Sequence, residues 1–195
     1  MPTITALREL GRGRVAVEVD GAAWRELPVS VVVRAELRAG LSLDRPALRL
    51  LRRELRRAEA ITVATRALRV RDLPARRVAD RLERAAVSPA AVEESLAVLT
   101  DAGAVEDGRF AANRAMSLAE RGYGDAAIRH DLEQQGVASE VAEAALSGLE
   151  PERVRAARLI EARGPGAKTA RYLASKGFGD DVLEAAFGAD FANDP

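Results

Sequence analysis

The sequence predicts a mainly α-helical protein built from tandem three-helix repeats, with a small segment containing a β-hairpin at the amino terminus. Three observations lead to this fold class. Alanine, leucine, arginine and glutamate are abundant among the 195 residues and only 4% are aromatic, a composition that favours helices. Three segments after residue 80 share one hydrophobic frame. Before residue 28, valines alternate with other residues, which is the period of a strand.

The amino-terminal segment, residues 1–43, is the part that predicts strands. Valines 15, 17 and 19 alternate with Ala16 and Glu18, and the Asp20-Gly21 pair follows them. These two residues tolerate the positive φ of a tight hairpin turn, so a second strand through Trp24 is expected. Residues 4–10 supply a candidate third strand. After Pro28, the sequence predicts a short helix that ends at Gly40.

An arginine-rich helix is predicted over residues 44–60, leading into the helical core. Asp44 is a suitable amino-terminal cap, and Pro46 is tolerated in the first turn of a helix. Leu48, Leu51 and Leu55 then recur at helical spacing, with arginines between them.

Residues 61–190 are predicted to form three repeats, at about 61–104, 105–149 and 150–190, followed by a tail at 191–195. In the shared frame Leu82, Leu132 and Leu173 correspond, and so do Ala86, Gly136 and Gly177. Each repeat is expected to contain one helix, then the end of a second helix, a turn and a third helix. The first helices are predicted at about 61–71, 108–121 and 151–163.

Gly136 and Gly177 stand where the second helix of a repeat should end in the left-handed conformation. The following residue, Val137 or Phe178, is expected to pack back on the helix that has just ended. Because one such unit has few large apolar residues, neighbouring units are expected to pack on one another.

Composition and charge exclude several classes of protein. The chain has no cysteine, which excludes disulfides and thiolate sites and makes the reducing cytoplasm the expected location. No apolar run is long enough to span a bilayer, and no secretion signal is evident, so no membrane association is expected. Residues 1–90 contain 19 arginines against 11 acidic residues, a net charge of +8, and the remainder carries −8. This asymmetry favours association with a charged polymer or an acidic partner.

No arrangement of residues points to catalysis, to a cofactor or to a metal. His130 is the only histidine and is expected on the surface, because Ile128 and Leu132 on either side of it are core candidates. The GPGAKT sequence at residues 164–169 lacks the glycine before lysine and the preceding strand of a phosphate-binding loop. It is interpreted as a helix start. Acidic pairs near predicted helix starts are explained by capping.

Clustered arginines are the residues most suited to contact a partner, because guanidinium groups bind phosphates and carboxylates well. Two clusters stand out, one on the helix from Asp44 and one on the second helix of the first repeat. Candidates for partner or DNA contact are Arg52, Arg53, Arg56, Arg76, Arg77, Arg81, Arg84, Arg121, Arg129, Lys168, Arg171 and Lys176.

From about residue 61 to 190 the chain resembles the RecX family. The most specific element is the run from Glu106 to Ala111, which is similar to the family's acidic-Asp-x-Arg-Phe-Ala motif. The step at residues 121–124 and the Lys176-Gly177-Phe178 sequence also match, whereas Ala86 replaces glycine in the first repeat. Family-motif residues expected to have structural roles are Asp107, Arg109, Phe110, Gly122, Gly124, Leu132, Gly136, Gly177 and Phe178.

The resemblance implies an elongated, curved array of three tandem motifs and a regulatory function without catalysis. Its implied partner is the RecA filament on single-stranded DNA, whose recombinase, ATPase and coprotease activities it would modulate, most simply by inhibition. Arginine-rich faces would add contacts to single- or double-stranded DNA. The residues also leave open a free-standing helix-turn-helix-like DNA-binding regulator.

Overall fold

A computed structural model of the chain describes residues 1–188 and confirms the mainly helical fold class with a β-containing amino-terminal segment. The predicted tail at 191–195 lies outside the described residues. The chain divides into two compact units. Unit one comprises Met1–Arg71 and Ala79–Ala102, and unit two comprises Asp72–Val78 and the chain from Gly103 onward. No helix of residues 1–188 has the length and apolar character needed to cross a bilayer.

Unit one begins with a three-stranded antiparallel sheet in the order β1-β2-β3. Its strands are β1 (Ile4–Gly11), β2 (Arg14–Val19) and β3 (Ala22–Pro28). The predicted Asp20-Gly21 turn is confirmed, since both residues have positive φ, 50° and 79°. The third strand predicted at residues 4–10 is confirmed as β1. One face of the sheet is buried through Ile4, Val17 and Leu27.

The helix predicted after Pro28 is shorter than expected. Helix α1 (Val29–Arg34) ends six residues before Gly40, because the chain turns at Glu36 with φ 50°. Leu37 N then donates to Val32 O at 2.9 Å, which closes the end of the helix. This turn buries Leu37 against the sheet cluster, and the apolar contact decides where the helix stops.

Helix α2 (Arg45–Leu68) contains both the arginine-rich helix predicted over residues 44–60 and most of the helix predicted at about 61–71. The predicted cap is confirmed, since Asp44 Oδ1 accepts a hydrogen bond from Ala47 N at 2.8 Å with proline in the first turn. The prediction of a break near residue 60 was wrong. Residues 47–68 contain no glycine or proline, so nothing interrupts the backbone hydrogen bonds between the arginine-rich part and the part from 61 to 68.

The remaining helices of the first half are α3 (Ala75–Arg84) and α4 (Pro89–Asp101). Helix α4 packs on α2. The division between the two compact units falls inside α3, after Val78.

Unit two contains six further helices in its described part. They are α5 (Asp107–Glu120), α6 (Asp125–Gln134), α7 (Ser139–Ser147), α8 (Glu152–Arg163), α9 (Ala167–Ser175) and α10 (Asp180–Phe187). Helices α5, α6 and α7 enclose one core around Ile128 and Leu132, and α8, α9 and α10 enclose another around Leu173 and Phe178.

The same helix-ending motif occurs at residues 82–87, 132–137 and 173–178, which we call the first, second and third joints. In each joint the residue after the turn donates its N–H to the carbonyl of the frame leucine, at 3.0, 3.1 and 3.2 Å. Ala86, Gly136 and Gly177 have φ of 59°, 82° and 79°. All three leucines are fully buried. The exact repeat boundaries stay a prediction.

Candidate partner-binding surfaces

The third joint and the start of α6 are held together by backbone contacts that require glycine. Gly124 N donates to Lys176 O at 2.9 Å, and Ala126 N donates to Gly177 O at 3.1 Å. A Cβ on Gly124 would lie 2.3 Å from Gly177 O, and one on Gly177 would lie 2.6 Å from Ala127 Cβ. Both family-motif glycines therefore allow two backbone segments to approach closely.

Two charged side chains of α8 stabilise the same contact. The Glu152 carboxylate accepts from Asp125 N at 2.5 Å and from Gly179 N at 3.2 Å, so it caps the starts of α6 and α10 together. Arg155, which is 8% exposed, donates to Tyr123 O at 2.8 Å and to the Asp125 carboxylate.

Arg155 is also tied to the loop that precedes its own helix and to the third joint. Its Nε donates to Glu150 O at 3.0 Å. Its guanidinium carbon lies 6.0 Å from the centre of the Phe178 ring. Glu152 and Arg155 were not candidates from the sequence, because neither a capping distance nor burial is encoded in local spacing.

An equivalent arrangement links the second joint to the start of α3. The Asp107 carboxylate accepts from Ala75 N at 2.8 Å, as Glu152 does from Asp125 N. Arg77 donates to Gln134 O at 2.5 Å and to the Gln135 side chain at 3.2 Å. A Cβ on Gly136 would lie 2.5 Å from Arg76 Cγ. The same kind of contact therefore occurs twice in unit two. The start of α3 contacts the second joint, and the start of α6 contacts the third joint.

The other family-motif residues lie in or beside these frameworks. Arg109 pairs with Glu106 at 2.9 Å and donates to Gly103 O at 3.2 Å, both just before α5 or at its start. Phe110 is half-buried against the α5–α7 core. Gly122 ends α5 with φ 78°. Their structural roles stay predictions, but their positions are consistent with them.

The exposed side of the first half of α2 carries a row of arginines, which we call the α2 ridge: Arg45, Arg49, Arg52 and Arg56. Their spacing of four, three and four residues places them on one helical face. The neighbouring candidate Arg53 instead pairs with Glu54 at 3.3 Å. Glu54 is 3% exposed and also lies 3.6 Å from Arg57, so its carboxylate is on the interior side of α2, whereas the Arg53 side chain stays 59% exposed.

The four arginine candidates of α3 do not form one surface. Arg76 and Arg77 contact the second joint, as described above. Arg81 and Arg84 are exposed, and no carboxylate among residues 1–188 pairs with either of them. Of this cluster, Arg81 and Arg84 are therefore the two suited to meet a partner.

Arg129 is engaged within unit two. It forms an ion pair with Glu143 of α7, with Nη2 donating to Oε2 at 3.3 Å. The hydrogen bond from Arg129 lowers the pKa of the Glu143 carboxyl. Arg114 forms a similar two-bond pair with Asp131, at 2.7 and 2.8 Å, which raises the pKa of Arg114. Both pairs fasten α6 to a neighbouring helix.

The two tyrosines of the chain form an aromatic and basic patch that was not among the surfaces predicted from the sequence. Lys176 Nζ lies 4.1 Å from the centre of the Tyr123 ring and 5.8 Å from that of Tyr172. The guanidinium of Arg163 lies 3.7 Å from the Tyr172 ring. Arg121 lies 5.6 Å from the Tyr123 ring. The signal available was that Tyr123 and Lys176 each adjoin a motif glycine.

The last two candidates, Lys168 and Arg171, are exposed on α9. The loop at residues 164–169 is the start of this helix, as interpreted from the sequence, with Thr169 Oγ1 donating to Gly164 O at 2.7 Å. His130 is exposed. Within the described part of the chain, no group of three histidine or acidic side chains is arranged to hold a metal ion.

Comparison with known proteins gives consistent matches. A family model described as the second three-helix domain of RecX matches residues 107–146. The "Regulatory protein RecX" of Halorhodospira halophila is 32% identical over 65% of this chain and 84% of that protein. The protein of the same name from Chromohalobacter salexigens is 36% identical over 59% of this chain and 82% of its own length.

Two solved structures share the fold. A crystal structure of regulatory protein RecX has a TM-score of 0.81 at 20% identity and covers 94% of this chain and 98% of its own. RecX from Lactobacillus salivarius has a TM-score of 0.60 at 18% identity and covers 67% of this chain and 94% of its own. The first match covers nearly the whole chain and therefore includes most of residues 1–43.

Proposed function

The chain belongs to the RecX family, and we propose that it binds the RecA recombinase and its filament on single-stranded DNA. Binding would restrain the filament and lower its recombinase, ATPase and coprotease activities. The proposal includes no catalysed reaction. It places the protein in the cytoplasm, where RecA acts.

The observation that carries the proposal is the repeated packing of a helix start on the next joint, built from the family's own motif residues. Asp107, Gly124, Gly136 and Gly177 are all used in it. Since these residues hold backbone segments together, the motif specifies a framework. Apart from this framework the chain carries exposed charged side chains, which suits a protein that lies on a polymer.

An exposed row of arginines and a half-buried aromatic and basic patch support contact with a nucleoprotein filament. The α2 ridge offers guanidinium groups to phosphates or carboxylates. The patch of Tyr123, Tyr172, Arg121, Arg163 and Lys176 offers cations beside aromatic rings. Such pairs suit phosphates and bases of a single strand. Lys168 and Arg171 extend the positive charge in the same unit.

The proposal is tested by adding the purified protein, below one molecule per RecA, to strand-exchange and ATPase reactions of RecA from the same organism. We expect both rates to fall. Substoichiometric action is expected because a protein bound along a filament restrains several RecA molecules.

Filter binding to DNA without RecA is the matching control. If neither RecA activity changes, the proposed function is wrong. Sequence-selective binding to duplex DNA would instead favour the free-standing DNA-binding regulator that the sequence left open. Weak binding without sequence preference agrees with the proposal, since phosphate contacts are not selective.

A further inference from the structure

Unit one contains a groove between the carboxyl-terminal half of α2 and the end of α3. Its volume is about 540 Å³. The residues that line it are of two kinds, small apolar residues and arginines: Val63, Arg66, Ala67, Val70, Arg81, Arg84 and Ala85.

The apolar side of the groove is exposed to solvent. Val70, just past the end of α2, is 83% exposed, and Val63 is 38% exposed. Single exposed aliphatic residues are common on protein surfaces, but two in one concavity mark a place where a partner gains by covering them.

The charged side of the groove has one sign. Its lining includes three guanidinium groups and no carboxylate. Arg66, Arg81 and Arg84 form no ion pair with the described residues, in contrast to Arg53, Arg114 and Arg129. Three like charges around one concavity repel one another, so an acidic occupant would be stabilised there.

The groove continues the α2 ridge. Arg56, Val63 and Val70 are seven residues apart, which is close to two helical turns, so they follow one face of α2 and its end. The face carries arginines in the first half of the helix, then the exposed Glu59, and then valines flanked by arginines in the second half. The two halves are therefore suited to different chemical groups.

We propose that this groove binds an acidic segment of the partner protein that also carries apolar side chains, while the α2 ridge binds DNA phosphates. This inference rests on the proposed function. A protein segment fits better than nucleic acid because a phosphate backbone has no apolar group to cover Val63 and Val70. The carboxylates of the segment pair with Arg66, Arg81 and Arg84 as its apolar side chains cover the valines.

The test compares two valine variants in the full-length protein. Val63→Ser with Val70→Ser removes the apolar contact without changing charge, and Val33→Ser, at a valine 70% exposed outside the groove, is the matched control. Affinity is measured for RecA filaments and for bare single-stranded DNA. We expect the double variant to lose about tenfold or more in filament affinity, as two valines lose their cover. Its affinity for bare DNA and both affinities of the control should equal the wild-type values.

Arg81→Gln with Arg84→Gln supplies a second, charge-based measurement. We expect its loss of filament affinity to shrink as salt is raised, whereas the loss in the valine variant should persist. If the double valine variant has a lowered melting temperature, Val70→Ser alone replaces it in the comparison with wild type. Val70 lies beyond the end of α2, so this substitution does not disturb the helix. If the variant with Val63→Ser and Val70→Ser binds RecA filaments as tightly as the wild type, the inference is overturned. The proposed function would remain intact.

An equal loss of affinity for bare DNA in the variant with Val63→Ser and Val70→Ser would also overturn the inference, because the groove would then bind DNA. Failure of the wild-type protein to bind RecA filaments at all is a different result. It would refute the proposed function itself, and the inference with it.

Discussion

Arg155 shows how a single side chain can organise a whole unit. It is an arginine at 8% exposure, and such burial is tolerated because its donors reach the carbonyls of Glu150 and Tyr123 and the Asp125 carboxylate. A lysine, with one ammonium group, could not reach three acceptors in three directions. The residue joins the loop before α8, the turn before α6 and, through Phe178, the third joint.

Replacement of Arg155 by methionine is expected to destabilise unit two by about 3 to 5 kcal/mol, because the Asp125 carboxylate and two carbonyls lose their donor. The free energy of unfolding is measured by chemical denaturation followed by circular dichroism. Arg158→Met is the matched control, since Arg158 lies one turn away, is exposed and, among residues 1–188, forms an ion pair only with Glu150. The control should cost about 1 kcal/mol or less. Equal effects of the two substitutions would contradict the structural role of Arg155.

At the scale of elements, the joints decide how one helix end meets the next repeat. The second and third joints use glycine both for positive φ and for close approach to α3 or α6. The first joint reaches φ 59° with Ala86. Alanine can adopt this conformation with some strain. The alanine that stands in place of glycine in the first joint therefore raises the conformational energy of the turn but leaves its geometry the same.

Gly124→Ala tests the packing between α6 and the third joint. Gly124 has φ −81°, so its backbone conformation suits alanine and the whole cost comes from the collision with Gly177. We expect a loss of about 1 to 3 kcal/mol or more in the free energy of unfolding. Gly108→Ala, in α5 with open space around its Cβ position, should leave stability unchanged or raise it. Equal melting temperatures of the Gly124→Ala and Gly108→Ala variants would contradict the close approach of Gly124 to Gly177.

At the scale of the whole molecule, zero net charge conceals two oppositely charged parts, +8 over residues 1–90 and −8 over the rest. A polyanionic filament would attract the first part and repel the second, which orients the protein before it binds. The α2 ridge is the most regular row of cations in the positive part.

Arg52→Gln with Arg56→Gln should therefore make filament binding less sensitive to salt. If each arginine neutralises one phosphate of the single strand, the slope of log affinity against log salt should become shallower by about 1.4. Fluorescence anisotropy with labelled single-stranded DNA, coated with RecA, measures the slope. Arg129→Gln is the control, because Arg129 is already paired with Glu143 and should not contribute. An unchanged slope in the ridge variant would remove the ridge from the interface.

Local sequence determined those features that need only neighbouring residues. The alternating valines and the Asp20-Gly21 turn specify the hairpin, Asp44 and Pro46 specify the start of α2, and the frame leucines mark the joints. It did not determine where α1 ends, because that depends on burying Leu37 in a cluster with the sheet. The continuity of α2 to Leu68 is a local property, since residues 47–68 contain no glycine or proline, and the predicted break overlooked it.

The candidate surfaces were decided by tertiary structure. Arg76, Arg77, Arg81 and Arg84 look alike in the sequence, yet two of them contact the second joint and two line an open groove. The same holds for Glu152 and Arg155, whose partners are 27 to 32 residues away or in the adjacent loop. Periodicity reports which face of a helix a residue occupies, but the partner of a charge depends on which distant backbone comes within hydrogen-bonding distance, and only the folded chain fixes that distance.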